Sequence, residues 1–144
     1  PYGIYANNLI DTELATWFRD AYINRFGTLP TQGSYQYAQG VLAAKYAYEK
    51  AAAANDGNFP STDQVIAALE GATFQGVATE VRMGLNNGHQ GLTDHMWGIS
   101  KYDPDQGLPV VTEVVRYKAE CIMPPDGVGS VEWIKGGMKG AQCD

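Results

Sequence analysis

The stretch Arg25–Ala54, RFGTLPTQGSYQYAQGVLAAKYAYEKAAAA, decides how the chain is built. It joins the end of one amphipathic helix to the start of a longer one. Gly27 can take the left-handed conformation that a helix C-terminus needs. Pro30 holds Leu29 extended. Ser34 can cap the second helix by accepting a backbone N–H of its first turn. The loop therefore aims a helix N-terminus, with Gln32, Gly33 and Ser34 around it, at whatever lies in front. Such an end carries partial positive charge and unpaired N–H donors. By spacing alone an ordinary helix–loop–helix connection is the favoured reading.

Working back from this stretch, Asp11 or Thr12 can cap a first helix over 12–26. Its Leu14, Trp17, Phe18, Ala21, Tyr22 and Phe26 recur at helical spacing and read as a core face. The second helix should run over 34–55, with Tyr37, Val41, Leu42, Ala44, Lys45 and Tyr48 along its packed face. Gly40 is costly in a helix interior, which suggests close packing there. Ser61 and Gln64 match a capping box, opening a third helix over 61–70. After Gly71 the period changes. Strands are expected at 77–83, 96–102 and 108–117, the last running into a helical turn. Asn86-Asn87-Gly88 and Asp103-Pro104-Asp105-Gln106-Gly107 read as turns. The glycine-rich tail has Trp133 and Ile134 as its anchors.

With 144 residues, 44% hydrophobic and 18% charged, the composition is that of a folded domain. A net charge of -6 argues against a nucleic-acid surface. No apolar run approaches the ~20 residues of a membrane span. The start, Pro1-Tyr2-Gly3-Ile4, reads as a processed, trimmed or truncated end, leaving a strand that the chain does not contain. Cys121 and Cys143 are compatible with one disulfide or with two free thiols.

The chemistry-bearing residues are sparse. His89, His95 and Asp94 could be three metal ligands, but their spacing matches no ligand pattern, and solvated loop histidines fit better. Ser34, His89 and Asp94 could form a nucleophilic triad, yet Ser34 lies outside any G-x-S-x-G elbow. Neither a dinucleotide fingerprint nor a phosphate loop is present. No cofactor, no metal and no catalysis are therefore expected.

The order of several short segments is more informative. Pro1-Tyr2 is followed by Phe18, Tyr22 and Arg25-Phe26-Gly27, then PTQGSYQY at Pro30–Tyr37 and the alanine-rich helix with its YEKA. DQVIAALEGATF at Asp63–Phe74, VRM at Val81–Met83 and GHQ at Gly88–Gln90 come next, then WGISKY and VVTEVV. Over residues 1–122 this set resembles the C-terminal part of type I periplasmic solute-binding proteins, the branched-chain amino-acid-binding family of ABC importers. The resemblance implies an α/β fold: a fragment of two lobes that close on a ligand like a hinge. Residues 1–30 would belong to the C-terminal lobe and 31–90 to the N-terminal lobe. Residues 91–122 would return to the C-terminal lobe and hinge, and 123–144 would form a tail.

Several functional expectations follow from that resemblance. Tyr2, Gln32, Gly33, Ser34 and Tyr35 would face a small organic solute in the cleft. The partners would be that ligand, the remaining N-terminal part of the same protein and a membrane permease, with no nucleic acid. The location would be periplasmic, or extracytoplasmic and lipid-anchored. In such a chain Cys121 and Cys143 are expected to be bonded. Two other functions remain on the same residues: a ligand-sensing receptor or regulator module, and a hydrolase using Ser34 or Cys121. Because the helices would lie on two lobes, the 144 residues should not share one core.

Overall fold

The computed structural model describes residues 9, 12–84, 90–105, 107–141 and 143. Three helices come first: α1 (Glu13–Phe26), α2 (Gln32–Ala54) and α3 (Thr62–Leu69). The strands β1 (Thr73–Gln75), β2 (Glu80–Gly84), β3 (Gln90–Leu92), β4 (His95–Asp103) and β5 (Leu108–Tyr117) follow. Two short helices, α4 (Ala119–Ile122) and α5 (Ser130–Lys135), complete the chain.

Local chemistry explains most of the boundaries. Thr12 caps α1, its hydroxyl accepting the Ala15 N–H at 3.1 Å. Gly27 closes α1 at φ 68°, in the left-handed conformation, and its N–H donates to the Ile23 carbonyl. α3 opens on the expected capping box: the Ser61 N–H donates to Gln64 Oε1 at 2.8 Å and the Gln64 N–H to Ser61 Oγ at 3.3 Å. The turn between β4 and β5 is held by Asp103, whose side chain accepts the Asp105 N–H at 2.9 Å. β5 spans the range its β-branched residues predict, and a helical turn follows it.

The 77–83 strand is corrected. Residues 76–79 turn instead, with the Gly76 N–H donating to the Thr79 carbonyl at 2.9 Å, and split the segment into β1 and β2. Alternation alone could not reveal this turn. A Cβ on Gly76 would come within 2.8 Å of the Thr79 carbonyl and 2.9 Å of Val81 Cγ2, so glycine is what lets the turn close this tightly. β1 and β3 flank β2 in an antiparallel sheet, with Phe74 opposite Val81 and Arg82 opposite Leu92. β4 and β5 form a separate antiparallel hairpin, with a bulge beside Gly98. There two residues of β5, Glu113 and Val114, face one of β4. The turn expected at Asn86-Asn87-Gly88 lies outside the described residues.

Burial divides into small clusters. Ala15, Tyr35, Val77 and Met96 pack together, with Phe18, Ala38 and Leu42 against them. Ala72, Phe74, Val81 and Met83 make a second cluster under Ala43, Tyr46 and Leu69. Leu92 and Ala119 make a third with Met123. The first cluster joins α1, α2 and β4, so residues expected on two lobes meet at this point.

The expected helix faces are also corrected. On α1, Ala15 is buried while Trp17 and Phe26 are exposed. On α2 the buried residues are Tyr35, Ala47 and Ala51, whereas Tyr37 and Val41 stand 83% and 70% exposed. α2 has apolar residues around much of its circumference, so periodicity alone does not select the packed face. Gly40 has no close neighbour after all: a Cβ there would meet nothing within 4 Å. In the tail Trp133 is buried and its indole N–H donates to the Lys139 carbonyl at 3.0 Å, but Ile134 is exposed.

Candidate functional site: the N-terminus of α2

Pro30 is buried and leads the chain to Thr31, which is extended at φ -88°, ψ 170°. Thr31, not Ser34, is the N-cap, so the helix begins three residues earlier than a Ser34 cap would have set it. Its hydroxyl accepts the Ser34 N–H at 3.4 Å, and Ser34 Oγ in return accepts the Thr31 N–H at 3.3 Å. The reciprocal pair is a capping box with serine at its fourth position in place of the usual Glu or Gln. T-x-x-S directly after a proline is the signal that would have located it.

The shift decides what the segment can do. Gln32, Gly33 and Ser34 are the first three residues of α2. Backbone N–H groups in that turn have no acceptor within the helix, and the Ser34 one is taken by Thr31. Gln32 is exposed and Gly33 half-buried. A Cβ on Gly33 would meet only Thr31 Oγ1, at 3.7 Å. The turn therefore presents backbone donors, a carboxamide and the positive end of a 23-residue helix on an accessible surface. That combination suits a carboxylate.

Tyr35 is placed differently from its neighbours. It is 1% exposed, within the first buried cluster, and its ring lies 5.1 Å from that of Phe18. Burial pushes its phenol pKa above the ordinary value; Arg19 opposes the shift and Asp20 adds to it. Thr12 fixes the other side of this junction, since its hydroxyl also donates to the Val77 carbonyl at 2.8 Å. Gln32, Gly33, Ser34 and Tyr35 are thus contiguous, with three around the helix mouth and Tyr35 anchoring it from below. Tyr2 lies outside the described residues.

The remaining candidates have structural partners. Ser34 Oγ is engaged with Thr31. Asp94 Oδ1 accepts the Ala119 N–H at 3.2 Å, at the start of α4, while Oδ2 lies 3.9 Å from Arg116 Nη1. His95 sits on β4 opposite Tyr117, and His89 lies outside the described residues. Among the described residues no cluster of His, Cys, Asp or Glu could hold a metal ion. Cys121 and Cys143 are bonded to each other, their Cα atoms 4.5 Å apart, so neither offers a thiol nucleophile in this state. Among the described residues no helix is long and apolar enough to cross a membrane.

Sequence reasoning missed one polar cluster. Arg82 on β2 pairs with Asp126 at 2.8 Å and approaches Glu120 at 4.0 Å. Arg82 and Asp126 are 44 residues apart, so no local pattern announces their meeting.

No family model matches the chain, and no curated protein matches it. Solved structures do. The fold matches an ABC-type branched-chain amino acid transporter protein from Rhodopseudomonas palustris CGA009, with TM-score 0.60 and 24% identity over 81% of this chain. It matches the solute-binding protein of an ABC transporter from Rhodopseudomonas palustris BisB5, solved with 3,4-dihydroxybenzoic acid, with TM-score 0.64 and 16% identity over 80% of this chain. An ABC transporter substrate-binding protein from Sphaerobacter thermophilus gives TM-score 0.59 and 23% identity over 81%. The chain spans only 29–30% of the length of those solved chains. At these identities the likeness establishes the fold: the α/β architecture is that of a portion of an ABC transporter substrate-binding protein.

Proposed function

We propose that the protein is the extracytoplasmic solute-binding component of an ABC importer, and that it captures an amino acid or similar small organic acid between two lobes. The observation that carries this reading is the α2 N-terminus, an accessible turn with backbone donors and Gln32, in a chain whose fold is that of ABC substrate-binding proteins. Gln32 and Gly33 contact the ligand carboxylate, and Ser34 lies on the ligand side while its bonds to Thr31 hold the turn in shape. Tyr35 holds the turn through its packing on Phe18, and Tyr2 closes the mouth of the cleft. Residues 1–30 form part of the C-terminal lobe, 31–90 part of the N-terminal lobe, and 91–122 the return and hinge, with the tail beyond. Binding requires no enzymatic step.

The other partners are a membrane permease and the remaining part of the same protein. The second is supported by the surface left open here. The β4–β5 hairpin exposes Trp97, Ile99, Tyr102 and Val115, and an isolated two-stranded hairpin is marginal in water. A chain spanning 29–30% of its structural neighbours leaves ample sequence to cover these side chains.

The test is calorimetric titration of the full-length protein with a panel of aliphatic amino acids and aromatic carboxylates. Saturable binding of one class, weakened by Gln32→Ala, is expected. Saturable binding that Gln32→Ala leaves unchanged would move the site away from α2, and no binding across the panel would reject the ligand class.

A further inference from the structure

Beyond the capture site, the chain carries a second organised feature in its tail. The Cys121–Cys143 bond joins residues 22 positions apart and closes everything between them into a covalent loop. The loop has an anchor of its own. Trp133 is buried with its indole N–H on the Lys139 carbonyl, and Pro125 Cγ lies 3.3 Å from where a Cβ on Gly140 would stand. The loop also touches two strands outside itself: Met123 packs in the cluster of Leu92 on β3, and a carboxylate reaches β2. Asp126 pairs with Arg82 of β2 at 2.8 Å. Its Oδ1 stands 2.9 Å from where a Cβ of Gly84 would be, so the carboxylate lies close over the bare backbone at the end of β2. Glu120, next to the bonded cysteine, reaches the same arginine. A cleft of about 200 Å³ runs between these groups, lined by Arg82, Glu120, Pro124, Pro125, Asp126 and Gly140.

The disulfide is open to attack. Cys143 is exposed, and a second cleft of about 220 Å³ beside the bond is lined by Arg116 and Lys118. Asp94 lines the same cleft and offsets Arg116, 3.9 Å away, which leaves Lys118 as the cation favouring approach of a thiolate anion.

We propose that the Cys121–Cys143 loop is a thiol-sensitive clasp on β2: oxidised, it holds Asp126 against Arg82 and Gly84; reduced, it releases them. The reductant is a dithiol. Its first thiolate attacks one cysteine sulfur, forming a mixed disulfide and expelling the other cysteine as a thiolate. Its second thiolate then attacks the reagent's own sulfur in the mixed disulfide, breaking the bond to the cysteine, which is expelled as a thiolate, and closing the reagent's intramolecular disulfide. Two electrons pass to the protein, and protons bring both cysteines to thiols. The clasp stands on the bond and the ion pair alone, independently of any ligand.

Hydrogen exchange measured by mass spectrometry on the full-length protein tests it. The samples are oxidised protein, protein reduced with a small dithiol and alkylated, and Asp126→Asn in both states. Peptides covering 80–84 and 90–92 report on the clasped strands, and one covering 39–54 of α2 is the reference. Reduction should speed exchange in the clasped strands about two- to fivefold, the worth of the exposed ion pair it releases, and leave α2 unchanged. Asp126→Asn should speed it about two- to fivefold in the oxidised protein, as for an exposed ion pair, and have no effect after reduction. Unchanged strand exchange on reduction would overturn the proposal. So would an equal rise in α2, which would make the bond a general cross-link. An Asp126→Asn effect of the same size in both states would also overturn it, since Asp126 would then hold β2 without the bond.

Discussion

Gly33→Ala separates folding from binding at the α2 N-terminus. Position 33 is the second residue of α2, and its φ is not in the left-handed region. The added methyl would meet nothing nearer than Thr31 Oγ1 at 3.7 Å, an ordinary contact. Folding therefore meets no clash, and replacing glycine by alanine removes conformational entropy from the unfolded chain. The gain is about 0.5 kcal/mol, at the low end for a helix because the residue lies in its first turn. The melting temperature without ligand should hold or rise slightly. Binding should respond in the opposite sense. A carboxylate seated on the Gly33 N–H would share its space with the new methyl. Losing one charge-assisted hydrogen bond costs about 1.5–3 kcal/mol, or roughly 10- to 100-fold in affinity. Differential scanning fluorimetry and calorimetric titration on the same preparation would measure both quantities. A raised melting temperature with unchanged affinity would refute the placement of the ligand on this turn. A large drop in melting temperature would refute the account of the open space beside Gly33.

Two other glycines should diverge under the same substitution. Gly98→Ala would put a methyl 2.4 Å from Val111 Cγ1 and 2.6 Å from the Thr112 carbonyl, so a loss of about 1–3 kcal/mol is expected. Gly40→Ala, in open space mid-helix, should gain up to about 1 kcal/mol; denaturant titrations that rank the two the other way would contradict the packing. Thr31→Ala should cost about 1 kcal/mol and Thr31→Ser much less, because the cap is a hydroxyl; equal losses in thermal melts would remove Thr31 from that role. The raised Tyr35 pKa adds a pH dependence. The unfolded chain releases this proton first, so the stability contributed by the neutral phenol is complete below the ordinary tyrosine value. It is lost as pH rises from there through the higher folded value. Tyr35→Phe should flatten the fall in melting temperature above pH ~10, and parallel curves for the two proteins would show that Tyr35 does not contribute.

What the sequence determined by itself is chiefly what depends on neighbours in the chain. Gly27 stops α1 and Ser61 with Gln64 starts α3 because caps are closed within four residues. β5 was legible because β-branched residues crowd it, at Val110–Thr112 and again at Val114 and Val115. The ordered segments from Phe18 to Val115 carried the fold resemblance, and Gln32–Ser34 were recognisable as a helix mouth. Tertiary structure decided the rest, because burial depends on what arrives from elsewhere. α2 offers apolar side chains on several faces, and the elements packed on it, α3 and β1 along its length and Ala15, Phe18, Val77 and Met96 at its start, bury Tyr35, Ala47 and Ala51 while Tyr37 and Val41 stay exposed. Gly40 and Gly98 look alike as isolated glycines, yet one faces open space and the other Val111. Tyr35 reads as an aromatic beside the helix mouth, and its enclosure by Ala15, Val77 and Met96 comes only with the fold. The meeting of Arg82 with Asp126 across 44 residues leaves no trace in local spacing, since an ion pair constrains where two side chains end and not how far apart they stand in the chain.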